Sequence, residues 1–366
     1  MKHENLRIIA LYLPQYHPTP DNDKWWGKGF TEWTNVGKAK PLYRGHYQPR
    51  VPADLGYYDL RLPEIREQQV ELAREAGIYG FCYYHYWFGY GKQELELPFN
   101  EVLKSGKPDF PFCLCWANES WYSKFWNKDG VASKRILVEQ KYGDKQEWKM
   151  HFMALLPAFK DKRYIRINNK PLFMIYKEEE FAEVSEFIEY WNELARENGL
   201  DGICFIAHKF GNTSEAIVDS IINKGFYAVN NLGLWTSRSR YRTFLRKCWD
   251  KVCPYLFRVP NVCNYKYIYP YFVSEIDRRN DVFPTLIPNW DHSPRSGKNA
   301  YILTNSTPDL FAKHVRQVLD IVNAKDTDEK IIFLKSWNEW GEGNYMEPDL
   351  KFGKGFICAL RNELEK

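Results

Sequence analysis

Eight short apolar, β-rich runs recur along this chain, most of them followed by a segment with helical periodicity, and no other property of the sequence limits its architecture so tightly. The runs cover residues 7–13, 77–84, 110–116, 171–176, 202–207, 225–230, 283–289 and 330–336. Amphipathic stretches fall at 62–76, 93–105, 145–159, 179–198, 214–224, 308–324 and 356–365. Runs such as Ile331-Ile332-Phe333-Leu334 are apolar without alternation, the pattern of a strand buried on both faces, and such strands separated by helices form parallel sheets. Eight units predict an α/β chain folded as a single (β/α)8 TIM barrel over 1–366, because a typical barrel takes about 250 residues and grows by insertion. A doubly wound sheet is the competing layout, but no predicted strand leads into the G-x-G-x-x-G turn that would favour it.

Polar and aromatic residues cluster just after the runs: Pro14-Gln15-Tyr16-His17, His85-Tyr86-Trp87-Phe88, Ala117-Asn118-Glu119-Ser120-Trp121, His208-Lys209, Asn230-Asn231, Trp290-Asp291-His292 and Asn338-Glu339-Trp340. In a barrel the C-terminal strand ends converge on one mouth, where barrel active sites lie. A long loop at 21–60, rich in Trp, Gly and Pro and ending in Gly45-His46-Tyr47-Gln48-Pro49, is expected to serve function at that face. A second long segment, at about 235–279, interleaves Arg238, Arg240, Arg242, Arg246, Lys247 and Lys251 with aromatics. It reads either as a basic lip for an anionic glycan or a membrane-bound lipid carrier, or as a solvated insertion packed by its aromatics.

The densest cluster is Ser336-Trp337-Asn338-Glu339-Trp340-Gly341-Glu342-Gly343, directly after the last run. Gly341, Gly343 and Pro348 exclude a stable helix here, so the acids belong to a tight loop. Two carboxyls three residues apart in such a loop suit glycosidic-bond chemistry, in which one must donate a proton while the other stays ionised. Glu339 and Glu342 are therefore the candidate catalytic pair, with Glu119 as the best third carboxylate. Tyr16, His17, His85, Tyr86, Trp87, Asn118, Trp121, Trp290, Asp291, Asn338 and Trp340 are expected to stack on sugar rings or bind their hydroxyls.

Composition supports a sugar site. Aromatics make 17% of the chain, with 14 Trp, 25 Tyr and 23 Phe, and flat sugar faces stack on such rings. A formal net charge of +4 does not point to nucleic acid. The eight Cys include several inside apparent strands (Cys82, Cys113, Cys115, Cys204) and read as reduced core thiols; no metal and no cofactor is expected. Only about six apolar residues follow Arg7 before Pro14, too few for a signal peptide, and no run reaches the roughly 18 of a membrane span, so the expected location is cytoplasmic. Oligomeric state is not legible.

The Pro14–His17 motif, Trp25-Trp26-Gly27-Lys28-Gly29-Phe30-Thr31-Glu32-Trp33-Thr34-Asn35-Val36, Gly80-Phe81-Cys82-Tyr83-Tyr84-His85-Tyr86-Trp87-Phe88, Trp116-Ala117-Asn118-Glu119 and the Asn338–Gly343 loop together resemble the WbsX-type proteins of bacterial surface-polysaccharide clusters. That group is labelled as glycosyltransferases of O-antigen or capsule assembly, and is similar to the family-99 glycoside hydrolases, endo-α-mannosidases that are (β/α)8 barrels acting with retention. The resemblance implies that Glu339 deprotonates the sugar's 2-hydroxyl, which attacks the anomeric carbon to give an anhydro-sugar, and that Glu342 is general acid and then base. It implies an oligosaccharide or polysaccharide substrate in lipopolysaccharide or capsule metabolism. A transferase that consumes an activated sugar donor is the alternative, although Asp21-Asn22-Asp23 and Asp326-Thr327-Asp328, the two Asp-x-Asp triplets, do not follow a strand. A glycan-binding barrel without catalysis is the third; it needs no paired acids.

Overall fold

The structure is a computed structural model that describes residues 5–126, 132–211, 213–242 and 260–366. Eight strands form its centre: β1 (Leu6–Tyr12), β2 (Gly80–Gly89), β3 (Phe112–Trp116), β4 (Lys170–Ile175), β5 (Cys204–Lys209), β6 (Ala228–Asn231), β7 (Val282–Leu286) and β8 (Lys330–Leu334). Each pairs in parallel with its sequence neighbours, and β1 also pairs with β8, with Leu6 opposite Lys330 and Ala10 opposite Leu334, so the sheet closes into a barrel. All eight expected runs are barrel strands. Gly80 begins β2 because a Cβ there would lie 2.6 Å from the Pro111 carbonyl oxygen and 2.8 Å from Ile165.

Helices cover the outside. Helix Pro63–Glu75 starts at a proline; helix Lys145–Lys160 is capped by Asp144, whose carboxylate accepts from the amides of Gln146 and Glu147; in helix Pro308–Asn323 the Thr307 hydroxyl accepts from Leu310 N. Two expected helices are shorter than their apolar periodicity suggests. In 93–105 the first residues instead form a strand, Lys92–Glu94, that turns back on β2 through Tyr90 and Gly91 at φ 51° and 78°, and the helix occupies only Leu97–Ser105. In 179–198 a 3-10 turn, Glu178–Glu180, precedes helix Val184–Glu197.

Strand parity decides which side chains reach the lumen. Along β2, Tyr84 and Tyr86 face the site while His85 and Trp87 face helix Lys145–Lys160, where they meet His151 and Glu147. The 235–279 segment contributes helix Leu234–Tyr241 and strand Asn261–Asn264, which pairs with Tyr301–Thr304 outside the barrel. Its aromatics pack a second apolar cluster with Trp290 and Tyr301, while Arg246, Lys247 and Lys251 lie outside the described residues. Cys82, Cys113, Cys115 and Cys204 are free and buried. Among the described residues no helix is long and apolar enough to cross a membrane.

Candidate active site

The residues directly after β8 build the centre. Lys335 is buried; its Nζ donates to the Tyr84 hydroxyl at 2.7 Å and lies 3.8 Å from Glu339 Oε1 and 3.6 Å from Glu342 Oε2. The Ser336 hydroxyl accepts from Glu339 N at 2.9 Å and donates to Asn344 Oδ1 at 2.9 Å, which fixes the backbone ahead of a single 3-10 turn, Trp340–Glu342. Side chains three apart nearly eclipse in such a turn, and this brings both carboxylates to the same cations.

The second cation is Arg295, carried on the four-residue helix Ser293–Ser296 beyond β7. Its Nε donates to Glu32 Oε1 at 2.8 Å, Nη1 to Glu342 Oε1 at 2.8 Å and Nη2 to Glu339 Oε2 at 3.0 Å. Residue 341 must lack a side chain, because a Cβ there would fall 1.8 Å from Glu32 Oε1 and 2.9 Å from Arg295 Nε. Asp291 anchors the helix: one oxygen accepts from Ser293 N at 3.0 Å, and the other from Gln48 Nε2 at 2.7 Å and His46 Nε2 at 2.9 Å. His46 Nδ1 itself accepts from Leu42 N, so Nε2 carries the hydrogen. Arg50 lies 3.5 Å from the same Asp291 oxygen and donates to the Gly343 carbonyl at 2.9 Å. The long 21–60 loop thus reaches the site through Glu32, His46, Gln48 and Arg50.

Three carboxylates, of Glu32, Glu339 and Glu342, converge on Arg295, and Lys335 stands 3.8 Å from the second and 3.6 Å from the third. Burial, reinforced by Glu342 alongside, pushes the Glu339 carboxyl well above the ordinary glutamate range. Burial opposes the charge of Glu342 as well, but Lys335, Arg295 and His292 overcome it and hold that carboxyl below its usual range. The surroundings thus favour the protonated form at Glu339, the more enclosed of the two, and the ionised form at Glu342. Asp291 is held far below the carboxylate range, its burial outweighed by His46, Arg50 and Ser293.

The expected contact residues divide into three groups. Glu339, Glu342, Tyr86 and Trp290 lie at the centre or its walls, and Trp121 sits at the rim against Tyr86 and Trp25. Glu119 is also at the rim, 41% exposed and paired with Lys177 at 3.2 Å. A second group holds the loop in place. Asn338 bonds both the amide and the carbonyl of Leu13, Tyr16 accepts from Trp340 N and donates to the Asn338 carbonyl, and Trp340 donates to Glu347 while stacking on Tyr345 at 3.7 Å. Asp291 belongs with them.

The third group makes its bonds within the scaffold. His85 bonds His151 and Trp87 bonds Glu147 in the helical layer, because both occupy the outward parity of β2. His17 is buried against the Pro14 carbonyl, and Asn118 spends its amide on the backbone of Lys177 and on Tyr142. Sequence reasoning missed Arg295, Lys335 and Glu32. A lone lysine ending an apolar strand was a usable signal for Lys335; Ser293-Pro294-Arg295-Ser296 carries none for Arg295.

Beside Glu342 opens a cavity of about 480 Å³, walled by residues that follow β4 to β8, among them Tyr176, Phe210, Trp235, Trp290 and His292. Its size suits a small-molecule site.

The family model for glycosyltransferase WbsX matches residues 8–360. Proteins described as uncharacterized protein WxcX, from two strains of Xanthomonas campestris pv. campestris, are 32% identical over 364 residues, 98% of this chain and 50% of theirs. The chain thus spans about half the length of the curated relatives it matches. A GH99 endo-α-mannosidase from Bacteroides thetaiotaomicron, solved with bis-tris propane, shares the fold at TM-score 0.60 and 13% identity, covering 98% of this chain and 96% of that one. A glycoside hydrolase-like protein does so at TM-score 0.59 and 13% identity, over 99% and 95%.

Proposed function

The chain belongs to the WbsX glycosyltransferase family, and from that premise we propose that it is a carbohydrate-active enzyme that cleaves or transfers a glycosidic bond in bacterial surface-polysaccharide metabolism, with Glu339 and Glu342 as the reacting pair. The observation that carries the proposal is the sharing of Arg295 and Lys335 by two carboxyls that are pushed to opposite sides of the ordinary range. Opposed protonation of two neighbouring acids is what acid–base work on a glycosidic bond requires.

In the retaining route, Glu339 takes the proton of the sugar's 2-hydroxyl, that oxygen attacks the anomeric carbon, and Glu342 protonates the departing oxygen. Glu342 then activates water or an acceptor hydroxyl, which attacks the anomeric carbon and opens the anhydro-sugar while Glu339 returns its proton to the 2-oxygen. The resting charges favour the proton on Glu339, whereas this route needs it on Glu342 when substrate reacts. Both arrangements hold one proton between the two groups, so a pH profile reports the pair and not its members. Shifting that proton to Glu342 is part of the proposal, and the leaving-group experiment in the Discussion assigns the roles.

The chemistry serves a hydroxyl acceptor as well as water, and the family's glycosyltransferase description favours transfer. Mass-spectrometric detection of shortened or elongated glycans tests the proposal, using the wild-type chain and its Glu339→Gln/Glu342→Gln double variant on a panel of surface oligosaccharides. Activity retained by the double variant would refute it.

A further inference from the structure

We infer that a second cavity, on the far side of the wall that bounds the one beside Glu342, is an accessory binding site for a pyranose unit. The inference goes beyond the reading of Glu339 and Glu342 as the reacting pair and does not depend on it.

This cavity encloses about 460 Å³ between the end of the 21–60 loop, residues 302–307, and Lys351 and Phe352. A thin extended layer separates it from the first. Asp291 pairs antiparallel with Ile302, Leu303 N donates to the Trp290 carbonyl at 2.7 Å, and His292 N donates to the Tyr301 carbonyl at 3.4 Å. Side chains alternate across such a layer. Trp290, His292 and Tyr301 therefore face the cavity beside Glu342, Asn289, Asp291 and Ile302 face the second one, and the two cavities share no lining residue among those described.

The second cavity is built for a sugar ring and not for an ion. Tyr43 stacks on His46 at 4.6 Å, and Tyr47 and Phe352 have their ring centres 4.8 and 5.0 Å from Lys351 Nζ, so three aromatic rings contribute surface to the wall. Among them stand Asn289, Thr304 and Asn305, short side chains that donate and accept as sugar hydroxyls do. Asn289 is only 8% exposed; its Oδ1 accepts from Trp290 N at 2.8 Å, while its Nδ2 has no partner among the described residues. An unpaired buried donor is costly, and a hydroxyl oxygen in the cavity would satisfy it. Asp291, the one carboxylate among the described lining residues, is already matched by Gln48 at 2.7 Å, His46 at 2.9 Å and Arg50 at 3.5 Å, so the floor offers no free charge to a metal ion. The other two cations, Arg44 and Lys351, are exposed, and solvent screens them. Ring faces and hydroxyl pairing remain as the means of recognition. A pyranose presents an apolar C–H face and a girdle of hydroxyls to match them, in a volume suited to a small molecule.

The test is saturation-transfer NMR of the full chain with the methyl α-D-pyranosides of glucose, mannose and galactose, with D-glucuronic acid, and with glycerol as a hydroxyl control that lacks a ring. At least one methyl pyranoside should bind saturably in about the millimolar range, insensitively to salt, and glycerol should not compete. A diazirine derivative of that pyranoside should label residues 43–47, 304–307 or 351–352 of the wild-type chain, as mapped by mass spectrometry. Asn289→Ala and Tyr47→Ala should each weaken binding about threefold or more, through a lost hydrogen bond and a lost ring face. The labelling needs no variant, so it decides the matter even where a substitution impairs folding. Label confined to residues of the first cavity, absence of saturable binding, or binding shown by glucuronic acid alone and removed by salt would overturn the inference. The outcome is separable from that for catalysis: labelling of the second cavity in a chain that turns over no glycan sinks the catalytic reading alone, and turnover without such labelling sinks this inference alone.

Discussion

Arg295 Nη1 stands 2.8 Å from Glu342 Oε1, although the two residues are 47 positions apart, and the same guanidinium spans Glu339 and Glu32. Removing it as Arg295→Gln takes one of two cations from the pair. Both limbs of the kcat/KM profile against pH should then move upward by about one unit or more, since a carboxylate loses an opposite charge in contact. Arg295→Lys should restore part of the position of the limbs but not full activity, because an ammonium cannot fork between three acids. Unmoved limbs in Arg295→Gln would show that the pair titrates independently of this residue.

The two glutamates should differ in their dependence on the leaving group. Glu342→Gln is expected to lose on the order of 10²-fold or more on substrates with poor leaving groups, and much less on an activated aryl glycoside, which departs with little protonation. Glu339→Gln should be inactive on both, since no leaving group replaces the missing base. The kcat/KM values of both variants on a matched substrate pair decide this. The reversed pattern would assign the acid role to Glu339, the residue whose carboxyl burial pushes upward.

Asp291 is expected to act on stability and on the site together. Asp291→Asn leaves His46 and Arg50 without their buried partner and frees the helix that carries Arg295, and breaking such a pair costs about 3–5 kcal/mol. The carboxyl's pKa is depressed in the folded state, so its contribution is present above the ordinary carboxylate range and lost as pH falls through the native value. Urea unfolding near neutrality should register the loss alongside a fall in kcat/KM. Wild-type stability in this variant would remove Asp291 from the scaffold described above.

Beneath the loop after β8, burial raises Glu347 from 4.5 to about 7, against hydrogen bonds from Trp340, Gln69 and Tyr58. A raised carboxyl binds its proton more tightly in the folded state, so its contribution is complete below about 4.5 and declines as pH rises through about 7. The stability difference between wild type and Glu347→Gln should therefore change with pH across that window, by on the order of 3 kcal/mol in total. A difference that stays constant across the window would contradict this assignment.

Much of the architecture was legible because it is written in local composition. Unalternating apolar runs such as Ile331–Leu334 need a sheet covered on both faces, and eight of them separated by helices leave a closed parallel barrel as the economical solution. The glycine-punctuated Glu339-x-x-Glu342 loop and the Trp-rich blocks were equally local signals, and they placed paired acids and aromatics at the barrel mouth. The side of each residue was not local. Tyr83 to Phe88 is an unbroken aromatic and histidine run, so nothing in it distinguishes Tyr84 and Tyr86, which face the site, from His85 and Trp87, which face a helix; the register of β2 between β1 and β3 makes that choice. Arg295 acquires meaning only because barrel closure sets the loop after β7 beside the loop after β8 and folds the 21–60 loop over both. The sequence by itself determined the strands, the mouth and the two acids. Tertiary structure alone decided which cations those acids share, because charge acts through space and three distant segments had to meet before Arg295 could stand between Glu32, Glu339 and Glu342.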